Sequence, residues 1–399
     1  MRILHIASRV PYPLIDGARI VMHQLIVALV RLGHDVTVVA VDDQKVDAEP
    51  LRRIVDLHVE QIPVRPRAIG ALGSLFSDRP FSQVRRDRSN VYTLLDHLHA
   101  RKPFGVVIAD QAHIAQYGAY VKQRYGIPYI LRSHNVEHEI YRRHLSTVTN
   151  WLMRRYVAMQ TMRWERFERS QHAMADYCLA ITDRDAETIA RFAPDVPVAT
   201  IPAAVDLCAF PYHDPDERES DSVVLLGNMG WPPNRNAVLW FTEQVLPHLR
   251  RSRPSTVVHL IGENPPVDEL PAQSETFRIH GRVDSIAPFY SRVAVGLVPL
   301  NVGGGMRVKM LEMMASGLPV VATRLGAEGN RAEAGRHYLS ADTPDAFAGE
   351  VVRLLTHPGL RSELARSARA FVEDAYSLDS IAGRIEEILH HLVEKRINA

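Results

Sequence analysis

The chain has 399 residues, 46% of them hydrophobic, and sets 47 Lys plus Arg against 46 Asp plus Glu, a formal charge of +1. That length and balance exclude a disordered, collagenous or disulfide-stapled chain and point to two domains. The neutral total conceals an asymmetry: 27 basic and 21 acidic residues up to Val205, then 20 and 25, make a basic front half and an acidic rear half.

In the front half, β-rich runs at Ile3 to Ala7, Asp35 to Val41, His58 to Val64, Phe104 to Ala109, Pro128 to Arg132, Tyr177 to Thr182 and Val198 to Pro202 alternate with helical patterns. Ala18 to Leu32 reads as an amphipathic helix closed by Gly33, and Asp183 reads as the N-cap of a helix through Phe192. Tyr212 to Asp221 is polar and aperiodic and reads as a linker. Strands follow at Val223 to Leu226, Val257 to Ile261, Phe277 to His280, Val293 to Pro299, Pro319 to Thr323 and His337 to Leu339, with helices from near Asn234, Asp284, Arg307 and Pro344. This alternation predicts an α/β protein of two doubly wound parallel sheets, whose ligands belong at the carboxyl ends of the strands.

Cys178 and Cys208 stand far apart, outside any CxxC spacing, which leaves neither a disulfide framework nor a thiolate metal site and fits a reducing cytoplasm. No run approaches the roughly 18 apolar residues of a spanning helix, so membrane attachment is expected to be peripheral.

After the first strand, Ser8 to Asp16 is a Pro-rich loop that enters a helix at Gly17. GxGxxG is absent there, which disfavours a dinucleotide enzyme. The loop is either an anion site at a helix start or an ordinary strand-to-helix turn. More specific is Asn301 to Thr323, NVGGGMRVKMLEMMASGLPVVAT. Gly303, Gly304 and Gly305 follow a buried strand and let the backbone approach a ligand, while Arg307 and Lys309 put two cations at a helix start, where the dipole disfavours them unless an anion binds. Glu312, three residues beyond Lys309, either accepts paired hydrogen bonds from vicinal hydroxyls such as those of ribose or forms a local ion pair with Lys309.

The run GGGMRVKMLEMMASGLPVVAT resembles the donor-site signature of the retaining GT-B glycosyltransferases, glycosyltransferase family 4. The DGARIV loop, LRSHNVEH, TIPAAVDLCAF and LLGNMGWPPNRNAVLWF fall in the family's order, so the resemblance covers nearly the whole chain. It implies two Rossmann-like domains facing across a cleft: residues 1–205 on the acceptor side, 206–375 binding the nucleotide sugar, and a terminal helix over 376–399 packing back on the first. Glu312 matches the second Glu of the family's E-x7-E motif, whose role is to hold the ribose; Gly304 stands where the first Glu, which usually contacts the donor sugar, would be. Arg307 and Lys309 then hold the diphosphate, with Arg235 a further candidate in place of the family's Arg and Lys after the first rear strand. Gly17 and Val283 complete the donor side. His134 resembles the family histidine near the reacting sugar carbon, with Asp16, Asn135 and Glu137 on the acceptor side.

The activity implied is transfer of a hexose or related sugar from a nucleoside diphosphate to a glycan or lipid-linked hydroxyl with retention, in cell-surface polysaccharide synthesis. No cofactor is implied beyond the nucleotide-sugar co-substrate. No metal site is implied either: fixed cations stabilise the leaving group, and Asp42-Asp43 is a polar strand end. Nucleic-acid binding is disfavoured for want of any recognisable module. A nucleotide-sugar 2-epimerase and a non-catalytic carbohydrate-binding relative share the fold and stay open as alternatives.

From Tyr141 to Gln171 the sequence sets seven Arg and two Glu among Trp151, Leu152, Met153, Tyr156, Met159, Met162, Trp164 and Phe167. This is either a long helix whose apolar stripe packs on the sheet or a basic amphipathic surface that meets anionic lipid on the inner face of the cytoplasmic membrane. A second Arg-rich stretch, Arg65 to Arg88, carries Leu72, Leu75, Phe76 and Phe81.

Overall fold

The computed structural model describes residues 1–14, 16–42, 44, 46–62, 77–219, 221–303 and 305–397. The chain divides into two compact units, Met1–Ala203 with Ile381–Ala399, and Ala204–Ser380.

In the first unit, β1 (Arg2–Ala7), β2 (Asp35–Asp42), β3 (Asp56–Gln61), β4 (Val106–Asp110), β5 (Tyr129–Ser133), β6 (Tyr177–Ala180) and β7 (Val198–Thr200) form one sheet in the order β3-β2-β1-β4-β5-β6-β7. The pairings are parallel; Ala7 lies opposite Asp110, and Asp110 opposite Arg132. Every residue of β4 and β5 is buried, as expected of strands covered on both faces. The helices are α1 (Gly17–Arg31), α2 (Glu49–Arg52), α3 (Phe81–Arg86), α4 (Ser89–Arg101), α5 (Ala115–Tyr125), α6 (Glu137–Thr147), α7 (Trp151–Met174) and α8 (Asp183–Phe192). Gly33 ends α1 with φ +79°, its N–H donating to Val30 O at 2.9 Å while His34 N donates to Leu29 O at 3.2 Å. That pair of bonds caps the last carbonyls and turns the chain toward β2.

The second unit repeats the pattern with β8 (Ser222–Leu226), β9 (Val257–Ile261), β10 (Phe277–Gly281), β11 (Val295–Val298), β12 (Val320–Ala322) and β13 (Leu339–Ser340), in the order β10-β9-β8-β11-β12-β13. Its helices are α9 (Pro232–Trp240), α10 (Leu246–Ser252), α11 (Ala287–Tyr290), α12 (Val308–Ala315), α13 (Pro344–Thr356) and α14 (Pro358–Tyr376). One core, with Val223, Phe241, Leu297 and Phe347, lies on one side of the sheet; a second gathers Met310, Leu311, Met313, Met314 and Tyr290. In each unit the strand order reverses once, between β1 and β4 and between β8 and β11, and such switch points open crevices at the carboxyl ends of the strands. The last helix, α15 (Leu378–Ile397), buries Ile385 and Leu389 and joins the first unit, where Glu386 Oε2 lies 2.8 Å from His34 Nε2. Among the described residues no helix is long and apolar enough to cross a membrane.

Two expectations are corrected. Tyr141 to Gln171 is not one helix: α6 stops at Thr147, and Asn150 starts α7 by accepting from the N–H groups of Leu152 and Met153, each at 3.1 Å. Asn is among the strongest N-cap residues, so it breaks a run that periodicity alone carries through. The polar segment Tyr212 to Asp221 is no free linker either. Arg218 is buried and donates to the carbonyls of Tyr290, His213 (3.0 Å) and Ser316 (2.5 Å), which pins the segment into the second unit.

Candidate active site

In the second unit the candidate residues collect at the ends of β8 and β11. Lys309, in the first turn of α12, donates through Nζ to Leu226 O at 2.6 Å and to Asn234 Oδ1 at 3.2 Å. Asn234 in turn donates to Asn228 O at 3.1 Å. A Cβ on Gly227 would stand 2.6 Å from the Asn234 side chain, so the glycine admits the side chain that seats Lys309. Two of the three Nζ donors are spent on these contacts and a third is left over. Among the described residues Lys309 and Glu312 make no direct ion-pair contact, yet each supports the other's charged form.

Burial, reinforced by Arg307 and opposed by Glu312, pushes the Lys309 amine down to about 7. Burial pushes the Glu312 carboxyl up to about 7, with Lys309 opposing. Both charged forms are thus undersupported, as befits groups built to meet a partner of opposite polarity. Arg307 is buried just before α12, its guanidinium 5.9 Å from the Trp231 ring centroid. Burial pulls the Arg307 guanidinium below its usual range, making it a stronger acid, and the nearby Glu328 resists that shift. Gly303 (φ +109°) and Gly305 (φ +90°) hold left-handed backbone that favours glycine, and a Cβ on Gly303 would lie 3.2 Å from Pro233. Gly304 lies outside the described residues.

Arg235 pairs with Glu269 on the exposed face of α9. Val283 is half-buried against the cluster of Tyr290 and Leu311. The Tyr290 hydroxyl is buried and has no hydrogen-bond partner among the described residues, and burial together with Glu312 holds it above its usual range.

In the first unit His134 sits past β5 in a network spanning the ends of β1, β4 and β5. Its Nε2 lies 2.6 Å from Asp110 Oδ1, and Gln111 Nε2 lies 3.2 Å from its Nδ1. Asp110 also meets His5 Nε2 at 3.0 Å and Arg132 Nη1 at 3.3 Å, and Ser8 Oγ donates to Gln111 Oε1. Burial works against the Asp110 carboxylate, but Arg132 and His134 outweigh it and hold the group well below the ordinary range. Burial lowers His134, against Asp110. An ionised Asp110 only accepts, so Nε2 of a neutral His134 carries the proton and Nδ1 presents its lone pair to the Gln111 amide. Gln111 adopts φ +94°, a strained value for a residue other than glycine.

The acceptor-side candidates separate. Asp16 is the N-cap of α1, accepting from Arg19 N at 3.0 Å and lying 3.4 Å from Arg9 Nη1. Gly17 follows it, and an added Cβ there would meet nothing within 4 Å. Asn135 is half-buried and makes no hydrogen bond among the described residues. Burial and the neighbouring Glu168 push Glu137 up to about 8, with Arg86 opposing. The N-terminus of α6 is capped from a distance: buried Glu168 of α7 accepts from Glu137 N at 2.7 Å and His138 N at 3.0 Å.

Asp110, Gln111, Arg132 and Asn234 escaped the sequence reading. Asp110 had a signal, since it is the first polar residue after the apolar run of β4, at a strand end where ligands bind. Glu168 had a weaker one, a carboxylate one turn after Trp164 on the buried stripe of α7.

Residues 16–204 match the family model of the glycosyl transferase 4-like domain, and residues 220–357 that of the glycosyl transferases group 1. An uncharacterized 44.6 kDa protein in the cps region of Klebsiella pneumoniae is 20% identical over 96% of this chain and 98% of its own. Among solved structures, sucrose-phosphate synthase from Thermosynechococcus elongatus aligns over 99% of this chain and 100% of its own with a TM-score of 0.71 at 16% identity. HepE from Anabaena, in complex with UDP-glucose, aligns over 98% and 100% with a TM-score of 0.66 at 14% identity.

Proposed function

Since the chain belongs to the group 1 glycosyl transferases and has their GT-B fold of two parallel-sheet α/β domains, we propose that it moves a hexose or related sugar from a nucleoside diphosphate to a hydroxyl, with retention at the anomeric carbon. The acceptor is a glycan or lipid-linked glycan of cell-surface polysaccharide synthesis, met at the cytoplasmic face of the membrane. The arrangement of Lys309, Arg307 and Glu312 around the glycine loop carries this reading. Lys309 and the buried Arg307 stand together at the start of α12, and Glu312, whose carboxylate makes no hydrogen bond among the described residues, stands a turn further along the same helix. The UDP-glucose bound by HepE and the cps location of the Klebsiella relative support the donor class and the pathway class.

In this mechanism Glu312 accepts from the ribose hydroxyls, while Lys309 and Arg307 bind the diphosphate. As the anomeric carbon–oxygen bond breaks, negative charge grows on the departing phosphate, and fixed cations beside a preorganised backbone stabilise it without reorganising. They do the work a metal ion does elsewhere, so no cofactor is assigned. The departing phosphate takes the acceptor's proton, and no separate base is needed. His134, its tautomer set by Asp110, accepts a hydroxyl hydrogen bond through Nδ1 once the Gln111 amide gives way. The test is a panel of nucleotide sugars with turnover followed in wild type, Lys309→Ala and Glu312→Ala. Both variants should lose most turnover and bind the donor more weakly; unchanged behaviour in both refutes the assignment. Mass spectrometry of the products also separates transfer from epimerisation and from binding without chemistry.

A further inference from the structure

The first turn of α7 is an apolar tip. Trp151, Leu152 and Met153 are consecutive and 64%, 61% and 52% exposed, and Ile140 on α6 and Met162 on α7 are also exposed. Soluble surfaces rarely line up three large apolar side chains at a helix end without a partner. The backbone of this tip is already provided for: Asn150 Oδ1 accepts the N–H groups of Leu152 and Met153, so the turn can leave water without stranding those donors.

The charge around the tip is one-sided. Arg154 and Arg155 follow it directly, are exposed, and reach no carboxylate among the described residues. Further along the two helices the acids are matched by other Arg. Glu165 lies 3.3 Å from Arg142 and 3.1 Å from Arg169, and Glu139 lies 3.6 Å from Arg143 and 3.5 Å from Arg184. An apolar wedge about 5 Å deep, one helical turn, ringed by uncompensated Arg and led by a Trp, has the dimensions and chemistry of the headgroup and acyl boundary of an anionic bilayer.

We propose that Trp151, Leu152 and Met153 insert into an anionic lipid surface, with Arg154 and Arg155 engaging the headgroup phosphates. This deepens the reading of a membrane-located acceptor and rests on it. Of the earlier candidates, Trp164 is fully buried and Tyr156, Met159 and Phe167 are half-buried, while Met162 is exposed. Residues 65–76 of the second Arg-rich stretch, including Leu72, Leu75 and Phe76, lie outside the described residues.

The test uses the full chain with phosphatidylcholine vesicles containing or lacking phosphatidylglycerol. Wild type should sediment with the anionic vesicles, and the triple variant W151S/L152S/M153S should bind them about tenfold more weakly or worse. R154Q/R155Q should weaken binding and flatten its salt dependence. Trp151 fluorescence, read as wild type minus Trp151→Phe, should shift to the blue on binding. Thermal melts and donor turnover should be unchanged in the triple variant. Equal vesicle binding by wild type and the triple variant overturns the tip assignment while leaving membrane contact standing. No binding by wild type overturns the membrane reading itself, and equal binding to neutral vesicles removes the role of Arg154 and Arg155. A concentration-dependent dimer that the triple variant abolishes makes the tip a protein interface instead.

Discussion

Donor binding should exchange protons in a direction that reverses with pH. Unliganded Lys309 titrates at about 7 because it is buried beside Arg307, and Glu312 at about 7 because it is buried. A diphosphate stabilises the charged amine and raises its value; ribose hydroxyls donating to Glu312 stabilise the carboxylate and lower its value. At pH 8 about a tenth of free Lys309 is protonated and about a tenth of Glu312 is neutral. Binding therefore takes up most of a proton, through Lys309. At pH 6 the amine is already largely charged and the carboxyl largely neutral, so binding releases most of a proton, through Glu312. Calorimetry with UDP-glucose in buffers of different ionisation enthalpy measures both numbers, and a sugar-blocked diphosphate adds no ionisation of its own in this range. Lys309→Met should abolish the uptake at pH 8 and leave the release at pH 6, while Glu312→Gln should do the reverse. Zero exchange at both pH values, or uptake at pH 8 that survives Lys309→Met, refutes the reasoning.

Replacing Asp110 tests the other unit. Asp110→Ala strands buried Arg132 and should cost about 3–5 kcal/mol in urea unfolding. Asp110→Asn should fold with less loss but reduce turnover tenfold or more at unchanged UDP affinity. Because Asp110 is held below the ordinary carboxylate range, its stabilisation is complete above that range and is lost as pH falls toward its folded value; the acid side of a melting-temperature profile should flatten in Asp110→Asn. Gly303→Ala forces a side chain into φ +109° against Pro233 and should cost about 1–3 kcal/mol of local stability, seen as weaker UDP affinity with little change in the melt. If fixed cations serve the leaving group, chelators should leave turnover unchanged; loss of activity restored by a divalent ion contradicts that.

Much of the architecture was legible because buried parallel strands read as continuous apolar runs. The strand expected at Val257 to Ile261 has the observed bounds, and the helix expected to end at Phe192 does so, though its N-cap is Thr182 and not Asp183. Errors arose where one polar side chain decides local structure: Asn150 breaking the long helix, and Arg218 anchoring the supposed linker. In the rear unit the closeness of Arg307, Lys309 and Glu312 was legible because the three sit within one short stretch at the start of α12. Asp110, Gln111 and His134 become neighbours only through the register of β4 and β5, with Asp110 opposite Arg132, a relation that no local spacing encodes.

The most direct test of retaining transfer from a nucleotide sugar is proton NMR of donor turnover in its first minutes, before the freed sugar mutarotates. With an α-linked nucleotide sugar that the enzyme accepts, the α-anomer should appear first, in wild type but not in Lys309→Ala or Glu312→Ala. Release of the β-anomer first, or equal turnover in the two variants, contradicts it.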